Sequence, residues 1–211
     1  MGRPVIYVLA GVNGAGKSSI GGAVLRAVGL EWFNPDAFAR EALEQLGCDQ
    51  ATANAHAWTE GQRRLKRALA QRTSFAFETT LGGRTVPARL KEASATHDVL
   101  MWFVGLDTVD RHLARVRLRV SQGGHDIPAA KIRERFTRAP VNLIALLPHV
   151  ARLHVHDNSA DAAPGAPIPD PRLVLDMRAG RVYYPDATDL AALGQTPGWA
   201  RPIVEAALRG I

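Results

Sequence analysis

The chain has 211 residues, 46% hydrophobic and 22% charged, enough apolar material for one sizeable core; this excludes a disordered tail, a fibrous repeat or a stapled mini-protein. A single cysteine, Cys48, excludes an internal disulfide and a cysteine-built zinc site, and fits a reducing compartment. The 26 basic residues exceed the 20 acidic ones, but only Lys17, Lys66, Lys91 and Lys131 are lysines and the arginines concentrate at 111–138. Without a lysine-rich tail or an aromatic-interleaved basic stripe, that clustering points to a phosphate-handling site rather than to nucleic acid.

In chain order, short apolar runs alternate with longer periodic ones, the pattern of an α/β domain. Strands are expected at Pro4–Ala10, Leu30–Asn34, Ser74–Thr79, Asp98–Leu106, Leu153–Asp157, Arg172–Met177 and Arg181–Tyr184, the last two as a hairpin turning at Ala179-Gly180. The first, third and fourth are almost continuously apolar, as strands covered on both faces of a parallel sheet are. Helices are expected at roughly 17–28, 36–46, 50–72, 84–94, 108–122, 129–148 and 189–209, with Asp107 and Thr108 where an N-cap belongs. The run Val5–Ala10 is too short to span a bilayer and no secretory signal is recognisable, so a cytoplasmic location is expected. One domain over 1–211 is expected, with a C-terminal addition from about 172.

Gly11-Val-Asn-Gly-Ala-Gly-Lys-Ser18 matches G-x-x-x-x-G-K-[ST] between an apolar strand and a helical run, the context a phosphate-binding loop requires. Glycines let successive N–H groups curl round phosphate oxygens, and a helix N-terminus adds a positive dipole end. Gly11, Asn13, Gly14, Ala15, Gly16, Lys17, Ser18 and Ser19 are therefore the expected nucleotide-binding residues, with Lys17 on the β- and γ-phosphates and the Ser18 hydroxyl on Mg²⁺. No apolar strand ends in Asp-Glu as in a hydrolytic ATPase, and no Asn-Lys-x-Asp run reads guanine.

Asp36, after Trp-Phe-Asn-Pro, falls at the carboxyl edge of the sheet, where chain position favours a role in taking a proton from an acceptor hydroxyl; the alternative is a helix N-cap, and the two roles can coexist. Glu78, Thr79 and Thr80 end a buried strand before Gly82-Gly83 and can bind a polar substrate, or Glu78 can pair with an arginine while the threonines serve loop backbone. Arg115, Arg117 and Arg119, then Gly123-Gly124-His125, then Arg133 and Arg135 form a helix–Gly-Gly–helix element suited to a lid that closes arginines over a transferring phosphoryl group, with His125 read as a loop hydrogen-bonder.

Gly-Val-Asn-Gly-Ala-Gly-Lys-Ser, Asn-Pro-Asp, Phe-Glu-Thr-Thr-Leu-Gly-Gly, Arg-Val-x-x-Arg-Val-x-x-Gly-Gly-His-x-x-Pro and Ile-x-x-Arg-Phe together resemble the zeta-toxin family of P-loop kinases, over residues 4 to about 145. The resemblance implies a three-layer P-loop kinase sandwich with a mostly parallel central sheet, a helical arginine lid at about 111–138 and a C-terminal hairpin plus helix. It implies transfer from ATP or GTP, with Mg²⁺, to the 3′-hydroxyl of UDP-N-acetylglucosamine or a related nucleotide sugar, and control by a small helical antitoxin. Carried onto this chain, Asp36 is the base, Glu78, Thr79 and Thr80 are the acceptor segment, and Lys17, Arg119 and Arg135 are the phosphate contacts, with Arg117 and Arg133 as competing arginines. The phosphate loop starts at residue 11, so the leader that contacts the antitoxin in plasmid-borne members is not expected here. The rival readings are a kinase of another small molecule (antibiotic, nucleoside or sugar acid) and a nucleotide-dependent binding protein without catalysis.

Overall fold

A computed structural model describes residues 2–18, 29–161 and 169–210. Six strands form one sheet in the order β2-β1-β3-β4-β5-β6, with β1 Val5–Ala10, β2 Phe75–Thr79, β3 Asp98–Gly105, β4 Arg152–Asp157, β5 Arg172–Arg178 and β6 Arg181–Tyr184. The first four are parallel and β5 and β6 antiparallel, so the sheet is mostly parallel, as the sequence leads one to expect. Among the described residues the helices are α1 Pro35–Leu46, α2 Gln50–Gln71, α3 Thr85–Ala93, α4 Val109–Ser121, α5 Ala129–Ile144, α6 Leu190–Gly194 and α7 Arg201–Leu208. The expected helix 17–28 lies, from residue 19, outside the described residues.

Alternation along the strands sorts side chains by face. Ile6, Val8, Val99, Met101, Phe103, Leu153 and Val155 join one buried cluster with Leu90 of α3, Val116 of α4, Ile132 and Leu143 of α5, and Ile203 and Val204 of α7. The intervening residues Tyr7, Leu9 and Trp102 lie with Ala76 in a separate cluster, and Tyr7 and Trp102 stack at 6.5 Å. The parallel order 2-1-3-4 brings the ends of β1, β2, β3 and β4 to one edge, where the phosphate loop begins.

Three expected elements come out differently. Leu30–Asn34 is not a strand: only Phe33 pairs, as a parallel bridge to Phe77, its N–H donating to Ala76 O at 2.8 Å and its carbonyl accepting from Glu78 N at 2.9 Å. The next N–H in that ladder would come from residue 35, which is proline and has none, so pairing stops after one residue. The expected helix 189–209 is two, α6 and α7, separated by a turn through Gln195-Thr196-Pro197-Gly198, where proline and glycine interrupt the periodic pattern. The long helix expected over 129–148 ends at Ile144, followed by a 3₁₀ turn at Leu147–His149 that contains Pro148. The hairpin turn does form at Ala179-Gly180, both at positive φ (47° and 77°), the geometry a two-residue turn needs between right-twisted strands.

Because Ile203 is fully buried in the main cluster, Ile203→Ala should cost about 2–5 kcal/mol by loss of transfer energy and creation of a cavity. Urea unfolding followed by circular dichroism measures it; a loss below about 0.5 kcal/mol would show that α7 is not part of the core.

Candidate active site

The phosphate loop leaves β1 at Gly11, whose N–H bonds Thr79 O at 3.2 Å, and tightens through Ala15 N to Val12 O at 3.1 Å. Gly14 sits at φ +81°, and a Cβ there would lie 2.9 Å from His112 O and 3.3 Å from Arg115 Cβ, so glycine lets the loop lie directly on α4. Two of the loop's carbonyls are taken from outside: His112 Nδ1 donates to Asn13 O at 2.8 Å and Asn158 Nδ2 to Ala15 O at 2.9 Å. Gly16 is at φ +90°, and Lys17 and Ser18 open a helical turn; Ser19 lies outside the described residues. Burial lowers the Lys17 ammonium below the usual lysine value, opposed by the nearby charges of Glu78 and Asp36 and reinforced by those of Arg119 and Arg135. Five charged groups from five segments thus share one electrostatic neighbourhood.

The cap question at Asp36 is decided by its neighbour. Asn34 is the N-cap of α1: its Oδ1 accepts from Asp36 N at 2.9 Å and Ala37 N at 3.1 Å, and Pro35 occupies the first helical position. The Asp36 carboxylate is left free of capping and meets Arg119 Nη1 at 3.1 Å, with His125 Nε2 at 3.9 Å. Arg119 also donates to His125 O at 3.2 Å. Glu78, 7% exposed, accepts at Oε1 from Trp32 Nε1 at 2.9 Å and from Asn34 Nδ2 at 3.3 Å, so its hydrogen-bond partners are an indole and an amide rather than an arginine. The Thr79 hydroxyl accepts from Leu81 N at 3.0 Å, while Thr80 lines the cleft.

Of the four arginines that sequence alone leaves unseparated, two face this place. Arg135 donates from Nη1 to Asn13 Oδ1 at 2.7 Å, and it reaches the loop across Gly82, where a Cβ would lie 2.5 Å from Arg135 Cγ. Arg119 lies on Asp36. Arg117 is exposed and turns back to Leu113 O, and Arg133 is exposed. Arg115 donates to Asn158 O at 2.8 Å, bracing the segment that holds Ala15. A cleft of about 590 Å³ is lined by Lys17, Asp36, Trp58, Glu78, Arg135 and Arg138. Asn34, His112, Asn158 and Trp58 escaped the sequence reading. Asn34 had a readable signal, the Asn-Pro-Asp start of a helix, in which the capping alternative is weighed for Asp36 and the structure has the cap at Asn34; His112 and Asn158 act only through contacts distant in sequence.

A phosphate loop after the first strand, acids at the same sheet edge and arginines arriving from the helices after the third strand define a P-loop kinase fold. No family model matches the chain. Over 70 residues it is 33% identical to an uncharacterized protein of Haemophilus influenzae, a stretch that is 33% of this chain and 50% of that protein. Among solved structures it resembles a chain of the AvrRxo1-ORF1:-ORF2 crystal structure with ATP (TM-score 0.65, 16% identity, 85% of this chain and 60% of that one). It also resembles a chain of the PezAT chromosomal toxin–antitoxin system of Streptococcus pneumoniae (0.57, 14%, 74% and 68%) and a candidate kinase of Chloroflexus aurantiacus j-10-fl (0.52, 18%, 64% and 78%). The chain thus spans half the length of the curated relative and 60% of the AvrRxo1 chain. Its fold is that of a zeta-toxin-like P-loop kinase.

His112 gives this site a pH signature. Burial pushes its pKa down to about 4 from 6.5, against the raising effect of its bond to Asn13 O, so it is held neutral. The unfolded chain binds the proton more readily, so the stability His112 contributes is complete above about pH 6.5 and is lost as the pH falls towards 4. Between pH 7 and pH 5 the loss should be about 2 kcal/mol from this residue. His112→Asn, whose amide can still donate to Asn13 O, should flatten the urea-midpoint profile in that window by this amount; a profile unaltered by the substitution would place the protonation elsewhere.

Proposed function

We propose that this chain is a phosphotransferase that moves the γ-phosphate of ATP, or of GTP, to a hydroxyl of a small acceptor, the best fit being the 3′-hydroxyl of UDP-N-acetylglucosamine or a related nucleotide sugar. The observation that carries the reading is the meeting of Lys17, Asp36, Glu78 and Arg135 on one cleft, with Arg119 on Asp36. A non-catalytic nucleotide sensor has no use for a carboxylate 3.1 Å from an arginine beside the phosphate loop. The zeta-toxin resemblance supplies the acceptor class, and the AvrRxo1 neighbour, solved with ATP, supports the donor.

In this reading Asp36 takes the proton of the acceptor hydroxyl, whose oxygen attacks the γ-phosphorus as the bond to the β–γ bridging oxygen breaks. Lys17, Arg119 and Arg135 offset the charge spread over the transferring group. Glu78 and Thr80 hold the acceptor from the β2 side, with Thr79 shaping the loop between them. Arginine-bearing α4 and α5 serve as the lid. Magnesium fits the donor set: the Ser18 hydroxyl is exposed beside Lys17, and the carboxylates of Asp36 and Glu78 border the same cleft, all hard oxygen ligands. Bound with the nucleotide, the ion would neutralise charge on the β- and γ-phosphates. A small helical antitoxin is the proposed protein partner, on the likeness to the PezAT toxin–antitoxin system. No helix among the described residues is long and apolar enough to cross a membrane; a cytoplasmic location, where ATP and nucleotide sugars are found, is part of the proposal.

Incubation with labelled ATP or GTP and a panel of nucleotide sugars, followed by mass spectrometry, should show one acceptor gaining a phosphoryl group. Tight Mg-nucleotide binding without transfer to sugars, nucleosides or aminoglycosides would leave a binding protein instead. Asp36→Asn should retain nucleotide affinity and change stability by less than about 1 kcal/mol, because Asn34 does the capping and the Arg119 pair is solvent-screened. Transfer should nevertheless fall by roughly 10²–10⁴. An Asn variant of full activity would move the base to Glu78.

Arg119→Ala should lower kcat far more than it weakens nucleotide binding, since its charge is best used on the developing transition state. Equal losses in both, read by calorimetry beside single-turnover kinetics, would make Arg119 an ordinary binding residue.

A further inference from the structure

Capping a helix asks only for a side-chain oxygen, which asparagine, aspartate and serine supply about equally well. Asn34 does more. Its Oδ1 is fixed towards α1 by the N–H groups of Asp36 and Ala37, at 2.9 and 3.1 Å, which turns its Nδ2 the other way. That amide nitrogen lies 3.3 Å from Glu78 Oε1 and 3.4 Å from Ser18 Oγ. The same Glu78 oxygen accepts from Trp32 Nε1 at 2.9 Å, so among the described residues this almost wholly buried carboxylate takes its two hydrogen-bond donors from the short segment 32–34. One planar amide therefore joins the start of α1, which it caps, to two segments distant in sequence: the phosphate loop at Ser18 and the end of β2 at Glu78.

We propose that Asn34 is a positioning residue that sets the spacing between the metal-side hydroxyl, the buried acid and the base. This rests on the phosphotransfer reading above. Asn34 exchanges no proton and forms no bond with substrate. It acts by joining an acceptor and a donor in one rigid group of the right reach: a serine or aspartate at the position keeps the oxygen and loses the NH₂. Aspartate would further set a second carboxylate against Glu78. Because Asp36 and Ala37 are bonded to the same amide that holds Glu78, a shift of one acid relative to the other is resisted at a single point. Misplacement of about 1 Å in such a constellation can cost on the order of 10²-fold in rate.

The test uses Asn34→Ser and Asn34→Asp, both of which preserve the cap. Thermal midpoints should stay near that of the unaltered protein and Mg-nucleotide affinity within about threefold, while kcat falls by about 10²-fold, more in the aspartate variant than in the serine one. Turnover within about threefold of normal in both variants overturns the proposal and leaves Asn34 as a cap alone. A second measurement does not depend on turnover. Hydrogen exchange of the Trp32 indole N–H, followed by NMR, should quicken at least about fivefold in Asn34→Ser as Glu78 loses its second donor. The Trp199 indole, bonded to Asp157 at 3.0 Å, serves as the internal control and should not change. If the unaltered protein transfers phosphate to no acceptor, the phosphotransfer reading fails, and the Trp32 exchange by itself decides whether Asn34 orders Glu78: an unchanged rate overturns that too.

Discussion

A phosphate loop can offer its N–H groups to an anion only if its carbonyls point elsewhere and are satisfied there, because an oxygen turned into the cradle would repel the ligand. Here three of the loop's carbonyls have protein partners. Val12 O is taken inside the loop by Ala15 N, Asn13 O by the buried imidazole of His112, and Ala15 O by the Asn158 amide. The helix α4, the end of β4 and the loop are thereby fixed to one another, and Arg115 and Arg135 extend the same framework to Asn158 and Asn13. The remainder of the site depends on that constraint, since the acids and arginines have meaning only relative to a phosphate held in one place.

Sheet order explains why such distant residues can meet. With β1 between β2 and β3, the phosphate loop is flanked on one side by Glu78 at the end of β2 and on the other by the connection from β3 into α4. The single bridge at Phe33 hangs the Trp32–Asp36 segment on the outer edge of β2, and Pro35 ends the pairing so that the chain turns into α1 with Asp36 in its first turn. Charge is balanced locally. The half-buried Lys17 ammonium is disfavoured by desolvation and by two arginines and supported by the two carboxylates of Glu78 and Asp36.

Much of this was legible in the sequence, and for identifiable reasons. The phosphate loop, the strands β1, β2 and β3 and the hairpin turn are encoded by residues close together in the chain, through apolar runs, glycines and a two-residue turn. Sequence could also rank Arg119 and Arg135 as phosphate contacts by resemblance, yet four arginines at similar spacing look alike until a helix is rotated into place. Arg117 and Arg133 then prove to face away, because Val116 and Ile132, one residue before each, are the positions buried in the core. The strand expected at Leu30–Asn34 failed where one missing proline N–H outweighed an apolar pattern, and the final helix failed where Pro197-Gly198 outweighed periodicity.

The sequence by itself determined the α/β class, the nucleotide loop and the set of acids and arginines from which a site could be drawn, because each of these is a property of neighbouring residues or of their periodicity. Tertiary structure alone decided which carboxylate is buried against an indole and an amide, and which arginine meets the loop and which meets Asp36. Those outcomes turn on contacts between residues 16 to 143 positions apart: Ser18 with Asn34, Trp32 with Glu78, Asp36 with Arg119, Ala15 with Asn158, and Asn13 with both His112 and Arg135. Pairings at such separation are set by sheet order and helix rotation, and no local propensity carries that information.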